Sequence, residues 1–201
     1  MKSAAIGIRV HSGWGALVAV SGKPGALEII DRSRIVIADE SIAGAKQPYH
    51  FAEGQALADA EKHIARCKAS SERLAFDALG AILAGLKTRE YSVRNCAIIL
   101  ASGRTLPSLP QVLASHALVH TAEGEFFRNA FRNAAERQGM DAIGIRERDL
   151  DPRIEAVIGT RANRVRDEIG ALGKALGPPW TSDQKAACLG ALLALAEARD
   201  P

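Results

Sequence analysis

The sequence predicts an α/β fold, a mixed sheet with helices on its faces, and three observations carry that prediction. Residues 4–10 and 14–21 are apolar and flank a glycine-bearing turn, the pattern of a β-hairpin. Arg34-Ile35-Val36-Ile37-Ala38 is rich in β-branched residues and reads as a further strand. Residues 95–101 are an almost unbroken apolar run, as in a strand covered on both faces. A long helical pattern separates that run from the hairpin.

Each element then follows in order. Lys23-Pro24-Gly25 is a turn, residues 26–31 are a candidate strand, and residues 40–50 form a polar loop. A helical pattern runs from Phe51 to about Lys87. Leu57, Ala60, Ile64 and Cys67, then Leu74, Ala78, Ile82 and Leu86, fall at helical spacing. Lys68-Ala69-Ser70-Ser71 is a candidate break between two helices. After the apolar run, residues 103–110 form a loop with two prolines. Helices are expected over 109–116 and 121–138, and a fifth strand over 141–147. One arginine-bearing helix is expected over 153–176, stopped by Gly177-Pro178-Pro179, and a last apolar helix over 183–198. The order β-β-β-α-β-α-β-α-α makes a three-stranded meander plus parallel strands, flanked by helices. Residues 4–10 and 95–101 should be parallel neighbours. The 201 residues read as a single domain, 1–201, with a C-terminal helical part at about 153–199.

Composition narrows the function classes. Hydrophobic residues make up 47% of the chain and aromatic ones only 4%, so the core is expected to be aliphatic. A net charge of +3 permits contact with nucleic acid but supplies no dense basic stripe. Cys67, Cys96 and Cys188 are far apart and follow no zinc or disulfide spacing, which predicts buried, reduced thiols. No leader pattern and no span-length apolar run is present, so the expected location is the cytoplasm, with no membrane partner.

The first hairpin carries a more specific signal. Ala5-Ile6-Gly7-Ile8-Arg9-Val10-His11-Ser12-Gly13-Trp14-Gly15 resembles the opening of the RuvC-type Holliday-junction resolvases of the RNase H-like superfamily. There an apolar strand, Gly, an apolar residue and Asp lead through a short turn to Gly-aromatic-Gly. The resemblance implies an RNase H-like mixed sheet and, in active members, two divalent metals held by four carboxylates from distant segments. Arg9 stands where the first metal-binding Asp is expected. Ile98-Ile99-Leu100-Ala101-Ser102 stands where a Glu is expected. At the last helix Asp183 matches the earlier of two acids, and Ala186 replaces the later. One acid of four remains, so the resemblance implies a degenerate site with no metal, and Mg²⁺ enters only if the site has been rebuilt. It also implies that Arg9 and Asp183 lie close enough to pair.

Other residues are candidates in their own right. His11 and Ser12 follow the first strand at the end where α/β sheets place ligands, and suit an anion or a base; a plain turn is the other reading. His120 and Glu123, with His116 one turn before, suit an acid–base pair or a metal. The alternative is a helix N-terminus capped by Thr121. For Asp183, the alternative is a first-turn acid in a helix capped by Thr181 and Gln184. Trp14 reads as sheet cover. Asp39 and Glu40 read as loop acids from which a relocated carboxylate can reach the site. Arg128, Arg132, Arg161, Arg164 and Arg166 can grip phosphates or form a solvated face.

Three functions are therefore carried forward. The first is a catalytically degenerate RNase H-like domain that binds structured DNA or RNA, with Arg9, His11, Ser12 and Asp183 as ligand-binding residues. The second is a metal-dependent hydrolase or nuclease with a rebuilt site drawn from His11, Ser12, Asp183, His120 and Glu123. The third is a non-catalytic homodimer packing through apolar helices such as residues 187–196.

Overall fold

The structure is a computed structural model, and it describes residues 1–101 and 105–197. Ser102 and the ends of the expected 103–110 loop and 183–198 helix thus fall partly outside the described residues. The elements are β1 (Lys2–His11), β2 (Trp14–Lys23), β3 (Ala26–Val36), α1 (Pro48–Ala52), α2 (Leu57–Thr88), β4 (Tyr91–Leu100), α3 (Leu109–Leu113), α4 (His116–Arg137), β5 (Asp141–Arg146), α5 (Leu150–Ile158), α6 (Ala162–Leu176) and α7 (Ser182–Glu197).

One five-stranded sheet in the order β3-β2-β1-β4-β5 organises them. β1, β2 and β3 form the antiparallel meander. β4 joins β1 in parallel, with Ile8 opposite Ile98, and β5 joins β4 in parallel. The expected pairing of the first strand with the 95–101 run is thus present. The C-terminal ends of β1, β3, β4 and β5 consequently share one end of the sheet.

Alternation along β1 sorts the core into two layers. Ile6, Ile8 and Val10 point to the face packed by α2 and α4, among Leu79, Leu86, Phe127 and Phe131. Ala5 points to the other face, where Ala187, Ala191 and Leu195 of α7 meet Val18, Ala97 and Ile99. α7 is apolar all round because it is covered all round, by the sheet on one side and by α5 and α6 on another. Residues 187, 188 and 190–195 are buried within the chain. That corrects the expectation of a dimer through 187–196: this surface is already spent on the sheet.

Several boundaries also differ from expectation, each for a local reason. Residues 26–31 and 34–38 are not two strands but the single β3. Its polar middle is satisfied in place, since Asp31 accepts the Ser33 hydroxyl at 2.6 Å and Arg32 donates to the carbonyls of Leu176, Gly177 and Pro179 that end α6. No break occurs at 68–71, because the Ser70 hydroxyl donates to Asp39 at 2.7 Å while Ser71 is buried in the helix. α4 begins at His116 rather than near Thr121. Ser115 precedes it in extended conformation, and the Thr121 hydroxyl donates back to the Ala117 carbonyl, as a mid-helix threonine does. The expected helix over 153–176 is interrupted at Gly159, which takes a φ of 63° that stops α5. Cys67, Cys96 and Cys188 are free and buried, and burial pushes the Cys96 and Cys188 thiols up to about 12. Among the described residues no helix is long and apolar enough to cross a membrane.

Candidate functional site

The shared C-terminal end of the sheet, on the α7 face, gathers most of the candidates. A two-residue turn, Ser12-Gly13, joins β1 to β2 and sets His11 opposite Trp14. Gly13 has a φ of 79°, and its carbonyl accepts from the N–H groups of Ile37 and Ala38, which ties the turn to the end of β3. Gly15 is required by close packing: a Cβ there would lie 2.9 Å from the Phe131 ring. The Gly-Trp-Gly run thus admits a bulky ring on one face of the sheet while presenting Trp14 on the other.

At this end, side chains from three strands and a helix form a continuous row. The Arg34 guanidinium sits 3.5 Å from the Trp14 ring centroid. Trp14 stacks on His11 with centroids 4.4 Å apart and an interplanar angle of 11°. His11 Nε2 lies 2.9 Å from Asp183 Oδ1. That contact has the distance of an ion pair but not the direction of a hydrogen bond, and the buried Nε2 has no hydrogen-bond partner. Asp183 reaches His11 because α7 starts here. The Thr181 N–H and hydroxyl donate to Gln184 Oε1 at 2.9 and 2.7 Å, and the Asp183 N–H donates to Thr181 Oγ1. Thr181 and Gln184 thus cap the helix start between them, and the Asp183 carboxylate is left for a tertiary contact.

Arg9 does not pair with Asp183. Its Nη2 donates to Glu147 Oε2 at 2.8 Å, and Glu147 follows directly on the end of β5. The predicted Arg9–Asp183 ion pair is corrected accordingly: β1 and α7 do meet, but His11 takes Asp183, and Arg9 turns toward β5. Ser12 is exposed at the tip of the turn.

His120 and Glu123 make their contacts elsewhere, at the start of α4, on the layer that packs the opposite face of the sheet. Glu123 is buried, and its Oε1 accepts from the N–H groups of Tyr49 and His50 at 2.8 and 3.0 Å and lies 3.2 Å from His50 Nδ1. Burial raises the Glu123 carboxyl above its ordinary range against the opposing effect of these hydrogen bonds. His120 Nε2 is 3.0 Å from His116 Nε2.

Asp39 is not a relocated site acid, since its carboxylate is held by Ser41 and Ser70. Arg128 is buried against Glu125, and Arg166 is held by Asp151 and Glu155. Sequence reasoning missed Glu147 and His50. Glu147 announces itself only by standing at the C-terminal end of a parallel strand. His50 carries no local signal, because its partners lie about seventy residues away, as its bond to Glu123 shows.

The two-metal chemistry of the resembled enzymes requires converging carboxylates. The residues present here do not fit it. The β1 position carries a guanidinium that already occupies Glu147, the β4 end reads Ile98-Ile99-Leu100-Ala101, and Asp183 faces an imidazole.

No protein-family model and no curated protein sequence matches the chain. Solved structures do resemble it. Thermus thermophilus RuvC in complex with a Holliday junction substrate aligns with a TM-score of 0.52 at 12% identity, over 98% of this chain and 95% of that one. A second Thermus thermophilus RuvC structure aligns with a TM-score of 0.49 at 13% identity, over the same shares of the two chains. The first likeness shows the fold, an RNase H-like mixed sheet of the RuvC type.

Proposed function

We propose that this RuvC-type domain binds structured nucleic acid through the C-terminal end of its sheet and does not cut it by the two-metal route. One observation carries the reading: a cation, Arg9, with its guanidinium 2.8 Å from Glu147, stands on β1 where a metal-binding carboxylate is expected. Arg34 on β3 adds a second, exposed guanidinium at the same end, held over Trp14. Guanidinium groups at a sheet end suit phosphodiester oxygens, which they grip by charge-assisted hydrogen bonds. Trp14 already stacks on His11 and carries Arg34, so it acts as a spacer rather than as a platform for a base.

The test is a binding titration of the whole chain against a labelled four-way DNA junction, a linear duplex and a hairpin RNA at several salt concentrations. Affinity for the branched substrate should fall steadily with salt. Arg9→Ala and Arg34→Ala should each weaken it and flatten the salt slope. No salt-dependent binding to any of the three would overturn the reading, and so would junction cleavage abolished by a chelator.

The His11–Asp183 contact favours one second reading, a hydrolytic site rebuilt on the same fold with His11 as base and Asp183 orienting it. Its signature is a hydrolytic activity lost in His11→Ala and kept in Arg9→Ala.

A further inference from the structure

We infer that His50, His116 and His120 form a binding site for a divalent first-row transition ion, best matched to Zn²⁺, with Glu123 positioning His50. The three residues come from two elements. His116 and His120 are one turn apart on the first two turns of α4, a spacing that puts both imidazoles on one helix face. His50 comes from α1, brought alongside by the polar loop after β3. The rings meet edge to face, with centroids 4.4 Å apart for His116 and His120, 4.7 Å for His50 and His120, and 5.6 Å for His50 and His116. One nitrogen of each lies within 4.8 Å of one nitrogen of both others.

Two features separate this cluster from a chance grouping of histidines. The first is spacing. His116 Nε2 and His120 Nε2 face each other at 3.0 Å. Two ligand nitrogens on a tetrahedral Zn²⁺ at about 2.0–2.1 Å each stand roughly 3.3 Å apart, so a small rotation of either exposed ring seats the ion. The second is Glu123, one turn further along the same helix and only 3% exposed. Its Oε1 engages His50 Nδ1, which leaves His50 Nε2 as the free nitrogen. A carboxylate that holds the far nitrogen of an imidazole fixes its tautomer and orientation and raises its basicity as a ligand. Oε2 of the same carboxylate is buried without a hydrogen-bond partner, so the carboxylate meets its neighbours through Oε1 alone. Glu53 Oε1, 3.8 Å from His116 Nδ1, places a second carboxylate behind a second ligand.

The donor set selects the ion. Three neutral imidazoles suit Zn²⁺ and its neighbours in the first row, whereas Mg²⁺ and Ca²⁺ require oxygen. Three protein ligands leave a fourth tetrahedral position for water or an anion. His116 and His120 are exposed, so the ion has an open path in. The site lies on the α2/α4 side of the molecule and shares no residue with the Arg9–His11–Asp183 end, so it stands or falls independently of nucleic-acid binding.

The experiment is calorimetric titration of Zn²⁺ into the chelator-stripped whole protein, with Co²⁺ as an optical probe. The expected result is one ion per chain, the strong visible absorption of four-coordinate Co²⁺, a raised Tm with Zn²⁺, and no competition from Mg²⁺. His120→Ala, an exposed change that leaves the fold intact, should cost at least 100-fold in affinity and remove both the absorption and the thermal shift. Glu123→Gln should weaken binding by about 10–100-fold while the stoichiometry is kept. Arg9→Ala should leave metal binding unchanged. No stoichiometric binding, or binding that survives His120→Ala undiminished, would overturn the assignment and leave the rings as a hydrogen-bonded imidazole cluster.

Discussion

Asp39 ties the loop after β3 to the long helix α2. Its Oδ1 accepts from the Ser41 hydroxyl at 2.6 Å and the Ser41 N–H at 3.0 Å, and its Oδ2 accepts from the Ser70 hydroxyl at 2.7 Å. These bonds, the Ser41 hydroxyl foremost, lower its carboxyl from 3.8 to about 2. Between those two values the unfolded chain binds a proton that the folded chain refuses. The stability contributed by Asp39 is therefore fully present above the unfolded value and is lost as pH falls toward about 2. Asp39→Asn should lower Tm most at neutral pH, and the two Tm curves should draw together as the pH drops. A constant offset across the acid range would refute this account. The candidate site divides by the same kind of local argument. Arg9, His11 and Asp183 were legible in the sequence because they stand in or beside a strand-turn-strand pattern and a helix cap. Glu147 and His50 were not, because each is chosen by a partner that only the folded chain brings near. Which carboxylate Arg9 takes depends on side-chain direction at the sheet end, and the order of residues along the chain does not encode it.

At the scale of elements, α7 packs directly on β1. Gly7 lies on the strand face that meets the helix, and a Cβ there would fall 1.9 Å from the Ala187 carbonyl oxygen and 2.7 Å from the Ala191 nitrogen. Both are backbone atoms of a helix buried between the sheet and its neighbours, so neither can give way cheaply. Gly7→Ala should cost about 3 kcal/mol or more, at or beyond the top of the usual range for overpacking. Gly85, inside α2, has open space around its Cβ position, and Gly85→Ala should instead stabilise by about 0.4–1 kcal/mol. Urea unfolding of the two variants checks both signs, and a neutral Gly7→Ala would show that α7 can slide on the sheet. The strand order and the helix–sheet alternation could be read in advance because apolar periodicity records burial directly. The misplaced boundaries fall where a polar group finds a distant partner, as Arg32 does at the end of α6 and Ser70 at Asp39, where one glycine turns the chain, as at Gly159, or where a threonine bonds back within its helix, as Thr121 does to Ala117.

The whole molecule combines an RNase H-like fold with a sheet end at which Arg9 pairs with Glu147 and His11 lies against Asp183. Restoring one carboxylate should not restore the chemistry. Arg9→Asp replaces a guanidinium by an acid next to Glu147, so an attraction becomes a repulsion. The cost is modest, because the Glu147 side chain is 52% exposed and solvent screens the pair, which places its worth below about 1 kcal/mol. The variant should therefore fold, and its activity can be interpreted. Two-metal cleavage needs several carboxylates converging on both ions. After the change, Ile98-Ile99-Leu100-Ala101 still ends β4, and Ala186 still occupies the turn of α7 after Asp183. Asp183 itself remains drawn toward His11. Arg9→Asp should accordingly leave a labelled four-way junction intact in Mg²⁺ or Mn²⁺. It should also weaken junction binding more than Arg9→Ala does, because it adds a negative charge where a phosphate is expected. Chelator-sensitive cuts by this single variant would mean that Glu147 and Asp183 already supply enough of a metal site. In that event Arg9 alone holds the enzyme silent.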